Sequence, residues 1–280
     1  MKKHIKFPIY SLTVLILIFV TIAIMPSIRS HIIMGAASWK ESFNVVGKND
    51  GLSIQFADPG SARAEGLSWF PRMLLFNATG VPLSDLYISE EGTADISIYY
   101  TFGDFVQGRS TIYDIDSPYS SAFYGAYTIR LKPVEGSVDL SLMELIESVT
   151  MYDYTNLILS QLGLNSEDLY FEAETDSISN YINAFGSDGW VKIDAKIKTR
   201  AMAHKANGFK QHYLQFGKPK TYKEDFDFPP MTLFGRTYAK CFKEKDIYVI
   251  FYIQAADEGL VNSTDRYLLS QSKVSIEDQK

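Results

Sequence analysis

The stretch from Tyr99 to Arg130 is the densest in recognition chemistry. Tyr99, Tyr100, Phe102, Phe105, Tyr113, Tyr119, Phe123, Tyr124 and Tyr127 stand there among Asp104, Arg109, Asp114 and Asp116. Flat ring faces can stack on a sugar or peptide while polar edges orient it. Asp104, Arg109, Tyr113, Asp114, Asp116, Tyr119 and Tyr124 are the residues that would carry such a surface. A sheet also buries aromatics simply to build its core, and that is their commoner use. Asp114-Ile115-Asp116 sends two carboxylates to one side of an extended chain, a geometry that can hold Ca²⁺ through oxygen ligands. The further ligands and the glycine of an EF-hand loop are missing at their set spacing. The expected role is a turn in which the Asp side chains cap local backbone, and no metal is expected.

Other reactive groups offer less. There is no G-x-S-x-G elbow. Ser270-Gln271-Ser272-Lys273 matches S-x-x-K but has no partner motifs after it. Cys241 sits inside an alternating run, where a small buried thiol is the commoner fate than a nucleophile paired with His204 or His212. Between those histidines, Lys205-Ala206-Asn207-Gly208 reads as a turn, and no H-E-x-x-H is present. No phosphate-binding loop or dinucleotide fingerprint appears, so no cofactor is expected. Acid–base chemistry would need two carboxylates about 5–10 Å apart in a cleft, with Asp104, Asp114, Asp116 or Glu172 as candidates.

The elements that must position these groups are mostly strands. Asp95 to Phe102 and Phe123 to Leu131 alternate in apolar character, which predicts an antiparallel meander. From Leu142 to Leu162 the apolar residues keep helical spacing. Ser141 with Glu144 forms a capping box and Gly163 a stop, so a helix is expected over 141–163. Leu169 to Asp176 places Glu172, Glu174 and Asp176 on one face. Trp190 to Ala203 sets Lys192, Asp194, Lys196, Lys198 and Arg200 on one face, a mainly basic stripe that meets the acidic one if the two strands pair. Asp188-Gly189 predicts the turn between the two. Arg236 to Phe242 and Ile247 to Ala255 read as a hairpin whose second strand is apolar on both faces, hence central. A short helix is expected near 262–272. Together these describe an α+β domain with a mainly antiparallel sheet, with a subdomain division conceivable near 133–136.

Ahead of this body, Lys2, Lys3 and Lys6 precede an uncharged stretch from Phe7 to Ile28, densest in apolar residues from Leu12 to Met25. About 20 residues of helix cross a bilayer core. The expected division is a cytoplasmic tail at 1–6, a transmembrane signal-anchor at 7–28 and an extracytoplasmic domain at 29–280, oriented by the basic N-terminus. The competing reading, a cleaved signal peptide, finds small residues only at Gly35-Ala36-Ala37, far from the apolar run. Four of the 27 Lys and Arg precede residue 30 with no acid among them, leaving 23 basic against 33 acidic side chains in the body. Such an acidic body disfavours nucleic acid as a partner. One cysteine in an exported domain of this size suggests a bacterial envelope protein. The function expected is therefore a membrane-tethered module that binds an envelope glycan or a membrane-protein partner without catalysing a reaction. The alternative is an envelope hydrolase or transferase using Asp/Glu acid–base chemistry.

Overall fold

The computed structural model of the protein describes residues 12–20, 46–49, 52–55, 73–102, 114–117, 120–136, 138, 140–158, 170–200, 204–205, 221–223, 225–266 and 272–276. Among these, a seven-stranded antiparallel sheet dominates, with a few helices on its faces. Its order along the sheet is β3 (Met73–Pro82), β4 (Gly92–Phe102), β5 (Phe123–Pro133), β11 (Ile247–Ala255), β10 (Pro230–Phe242), β7 (Ser187–Arg200) and β6 (Phe171–Ala184). Two smaller pairings complete the strands: β1 (Val46–Asn49) and β2 (Leu52–Gln55) with β12 (Lys273–Ile276), and the short parallel pair β8 (His204–Lys205) and β9 (Thr221–Tyr222).

The meander and the last hairpin form as the alternation predicts. β4 runs against β5 from Gly92↔Pro133 to Phe102↔Phe123, and β10 against β11 from Phe234↔Ala255 to Phe242↔Ile247. Lying between β5 and β10, β11 is buried on both faces, with Val249, Ile250, Phe251 and Ile253 at 1% exposure or less. An isolated apolar run can satisfy both faces only in the middle of a covered sheet, which explains its place.

One face is covered by helix α1 (Leu142–Tyr152). Ser141 Oγ accepts from the Glu144 N–H and the Glu144 carboxylate accepts from the Ser141 N–H, closing the capping box. Those bonds hold the Glu144 carboxyl below its usual value. Leu145 and Val149 face inward onto Ile96, Ile98, Tyr127, Ile129 and Tyr252. Each such aliphatic burial contributes about 1.5–3 kcal/mol. The α-helix stops at Tyr152 and continues as a π-helical turn, Asp153–Ile158, so the helix expected to reach Gly163 is shorter in its α form, and Gly163 lies outside the described residues. The Thr155 hydroxyl donates to the Met151 carbonyl at 2.6 Å, back-bonding that competes with regular α-helical winding.

On the opposite face, Trp190, Phe185, Tyr238, Phe251 and Val261 pack with Ile54 and Val274 of the small sheet. Helix α2 (Glu258–Thr264) is capped by Asp257 and begins four residues before the expected 262–272 segment. Arg236 ties it down, bonding Asp194 through Nε at 2.6 Å and Asp265 through Nη1 at 2.7 Å, while the Tyr238 hydroxyl also donates to Asp265. Burial opposes the charge on Asp194, but the bonds from Arg236 and Lys192 outweigh it and hold its carboxyl below the usual range.

The β6–β7 hairpin brings the acidic and basic stripes together, with Glu172↔Lys198 and Glu174↔Lys196 in register. Its turn is not Asp188-Gly189 but Phe185-Gly186, both at positive φ (53° and 84°) as a two-residue primed turn requires. Phenylalanine tolerates that backbone because its ring is buried, stacked on Phe251 at 4.1 Å and edge-on to Trp190 at 4.7 Å. Asp188-Gly189 instead forms a β-bulge in β7: Ile182↔Trp190 and Ala184↔Ser187 leave two residues opposite one, with Gly189 at φ 83°.

Within the N-terminal apolar run, residues 12–20 are helical and all nine are exposed. Among the described residues, no helix is long and apolar enough to cross a membrane.

Candidate functional site

Of the residues expected to form a binding surface, Asp104, Arg109, Tyr113 and Tyr119 lie outside the described residues. Asp114 and Asp116 sit in a turn: Asp114 Oδ1 accepts from the Asp116 N–H at 3.1 Å, and the Asp114 carbonyl accepts from the Ser117 N–H at 3.0 Å. These are the local caps that D-x-D predicts. Tyr124 is 2% exposed, and Tyr99 and Tyr127 of the same stretch are also buried. These three rings build the core on both faces of the sheet and present no surface. Glu172 is exposed on the edge strand β6, paired across to Lys198 at 3.7 Å. Among the described residues, no three His, Cys, Asp or Glu side chains converge to hold a metal.

Cys241 lies half-buried in β10 opposite Tyr248, and burial pushes its thiol up, away from the thiolate. That placement suits a packing role. His204 falls on β8, and His212 lies outside the described residues.

A recess that the motif search missed lies under the C-terminal end of α1. It measures about 70 Å³ and is bounded by α1, the π-helical turn and strands β5, β6, β7, β10 and β11. Its origin is in β10, where Gly235 and Thr237 occupy positions on the α1 side of the sheet beside Gln254 and Tyr252 of β11. Small side chains at those positions leave the space unfilled. A Cβ on Gly235 would stand 2.8 Å from Ile197 Cδ1, so the missing side chain is part of the recess wall.

Three polar features converge there. Asp153, 1% exposed, accepts from the Tyr127 hydroxyl at 2.7 Å. Tyr127 stacks on Tyr252 at 4.8 Å between centroids. Burial first, and then the Asp153 carboxylate, push the Tyr252 hydroxyl well above the usual tyrosine value, so it stays protonated. Tyr154 accepts from the Thr199 hydroxyl at 3.3 Å on the β7 side. Finally, Arg200 lines the recess with an unusual distribution of bonds. Its Nη1 donates to Asp227 at 2.8 Å and to the Phe228 carbonyl, while its Nε is buried with no hydrogen-bond partner. A buried donor left unsatisfied costs about 1–3 kcal/mol.

The signal that could have located this site is Asp153 itself. It follows Leu145 and Val149 at four-residue spacing, so it places a carboxylate on the helix's apolar stripe. A polar group at a core position is informative where an exposed one is not. π-Helical segments often accompany functional sites. Among the described lining residues, Asp153 is the one carboxylate. The chemistry of the recess is that of a small binding site, with apolar and aromatic walls and a few convergent polar groups. Comparison of the chain with protein-family models, with curated proteins and with solved structures finds no match.

Proposed function

We propose that the protein is a membrane-tethered, extracytoplasmic binding module of the cell envelope, with its ligand seat in the recess beneath α1. The carrying observation is that recess: one buried carboxylate and aromatic walls beside Arg200, at a position on the sheet where Gly235 and Thr237 present small side chains. The tether is supported by the apolar run of residues 7–28 and by the exposure of every side chain at 12–20, an apolar surface that needs a lipid or protein cover. The acid–base hydrolase or transferase has less support. Glu172 stands exposed on an edge strand, and Asp114 and Asp116 serve a turn.

Two measurements on the full chain in native membranes test this. Protease added to intact cells should digest the 29–280 body; survival of the body until the membrane is broken would overturn the topology. A photo-crosslinker placed at Gln254, which lines the recess, should capture a small envelope component that one placed at Glu172 does not. Equal labelling from both positions would overturn the recess as the seat.

A further inference from the structure

Among the described strands, β6 closes one end of the seven-stranded sheet, with β7 beside it on the inner side only. Every residue from Glu172 to Tyr181 is exposed, Ile178 at 51% and Tyr181 at 87%. A strand so placed offers a row of N–H and C=O groups to a further strand. At the other end of the sheet, β3 is broken by a register shift between Ala78 and Val81 and finishes in Pro82, which has no N–H to give. β6 contains no proline. Its own register shifts fall between Thr175 and Ser177 and between Ser179 and Ile182, so Ser177–Ser179 stays regular around Ile178.

We infer that the protein forms a symmetric dimer in which two copies of β6 pair antiparallel about a two-fold axis at Ile178. Charge is the first argument. The strand is acidic in its first half (Glu172, Glu174, Asp176) and uncharged from Ser177 to Ala184. Antiparallel pairing about Ile178 brings Glu172 to Ala184 and Glu174 to Ile182 of the other copy, whereas parallel pairing sets each acid beside its own copy, which is destabilising. Lys198 and Lys196 already answer Glu172 and Asp176 from β7, which leaves little net charge to recruit a basic partner instead. Direction is the second argument. A two-fold axis between antiparallel edge strands stands normal to the sheet, so like faces of both copies stay on one side. The small sheet that follows the N-terminal apolar run packs, through Ile54, on the Trp190 face. On the tether reading, both copies then receive their apolar runs on the same side, as two anchors in one membrane require.

Two measurements on the full chain in mild detergent test the pairing. Sedimentation should show a dimer that dissociates on dilution. Ile178→Lys, at an exposed position, should keep the parent circular dichroism spectrum and weaken self-association about tenfold or more, because it sets two like charges at the axis. A short bismaleimide should link Ile178→Cys chains into covalent dimers. Glu172→Cys should give none beyond the background of the parent with Cys241 alone, since its two copies stand more than about 30 Å apart across the axis. A monomer at every concentration, self-association unchanged in a folded Ile178→Lys chain, or equal linking from positions 172 and 178 would each overturn the inference. A body protected from protease in intact cells, together with linking at 178 alone, would overturn the tether and support the pairing.

Discussion

Replacing Gly125 by alanine tests the packing that shapes the recess. Gly125 lies in β5 between Tyr100 of β4 and Tyr252 of β11. The Tyr252 ring crosses the sheet over this bare position, and its hydroxyl donates to the Tyr99 carbonyl at 3.4 Å. A Cβ at residue 125 would stand 1.8 Å from that carbonyl oxygen, 2.7 Å from the Tyr252 hydroxyl and 2.9 Å from the Tyr99 carbonyl carbon. The nearest obstacle is backbone, so no rotamer change relieves it, and β4 must move away from β5 by more than an ångström. Overpacking of this kind costs about 1–3 kcal/mol or more. Displacing Tyr252 removes a hydrogen bond of about 1 kcal/mol and an aromatic stack with Tyr127 of about 0.5–1.5 kcal/mol. The expected loss is about 4 kcal/mol, a large share of the roughly 5–15 kcal/mol that holds a domain folded. Urea unfolding of the full chain in detergent, followed by far-ultraviolet circular dichroism, measures it. Tyr252→Phe alone should cost only about 1 kcal/mol, and the double variant should stay close to Gly125→Ala, because the backbone clash remains. A Gly125→Ala chain within about 1 kcal/mol of the parent would refute the reasoning.

Three further outcomes are expected. Ser141→Ala opens the capping box of α1 and should lower stability by about 1 kcal/mol in the same urea assay. Phe185→Ala keeps the positive-φ strain but removes the ring packed on Phe251 and Trp190, so a loss of about 3–5 kcal/mol is expected, with a changed near-ultraviolet spectrum. Acid should loosen α2. The Asp194 carboxyl is held below its ordinary value of about 3.9, so its contribution is complete above that pH and is lost as pH falls through the depressed folded value. An Asp194→Asn variant should therefore be less stable at neutral pH and lose less stability on acidification, as measured by thermal midpoints across the acid range.

Much of the fold was legible because it rests on neighbouring residues. The alternation of Asp95–Phe102 and Phe123–Leu131, the doubly apolar Ile247–Ala255 run, the Ser141–Glu144 cap and the charge stripes of β6 and β7 each state a local preference that the folded chain satisfies. Where one local signal met a stronger distant one, it moved. Asp188-Gly189 carried the expected turn chemistry, yet became a bulge, because seating Phe185 against Phe251 and Trp190 outweighed a left-handed phenylalanine. The aromatics Tyr99, Tyr124 and Tyr127 were equally suited to a binding face or a core. Only the layers on both sides of the sheet decided for the core.

By itself, then, the sequence determined the β4–β5 meander, the strands of the β6–β7 and β10–β11 hairpins, the capped start of α1, the central place of β11, the acidic body and the apolar N-terminal run. Local periodicity and charge are carried by residues adjacent in the chain, so they can be read without partners. The recess was decided by tertiary structure alone. It needs Asp153 from a π-helical turn, Arg200 from the end of β7 and the small residues Gly235 and Thr237 of β10, brought together by strand register across more than eighty residues of chain. No window of sequence contains that coincidence, because a cavity is the space that distant side chains leave unfilled.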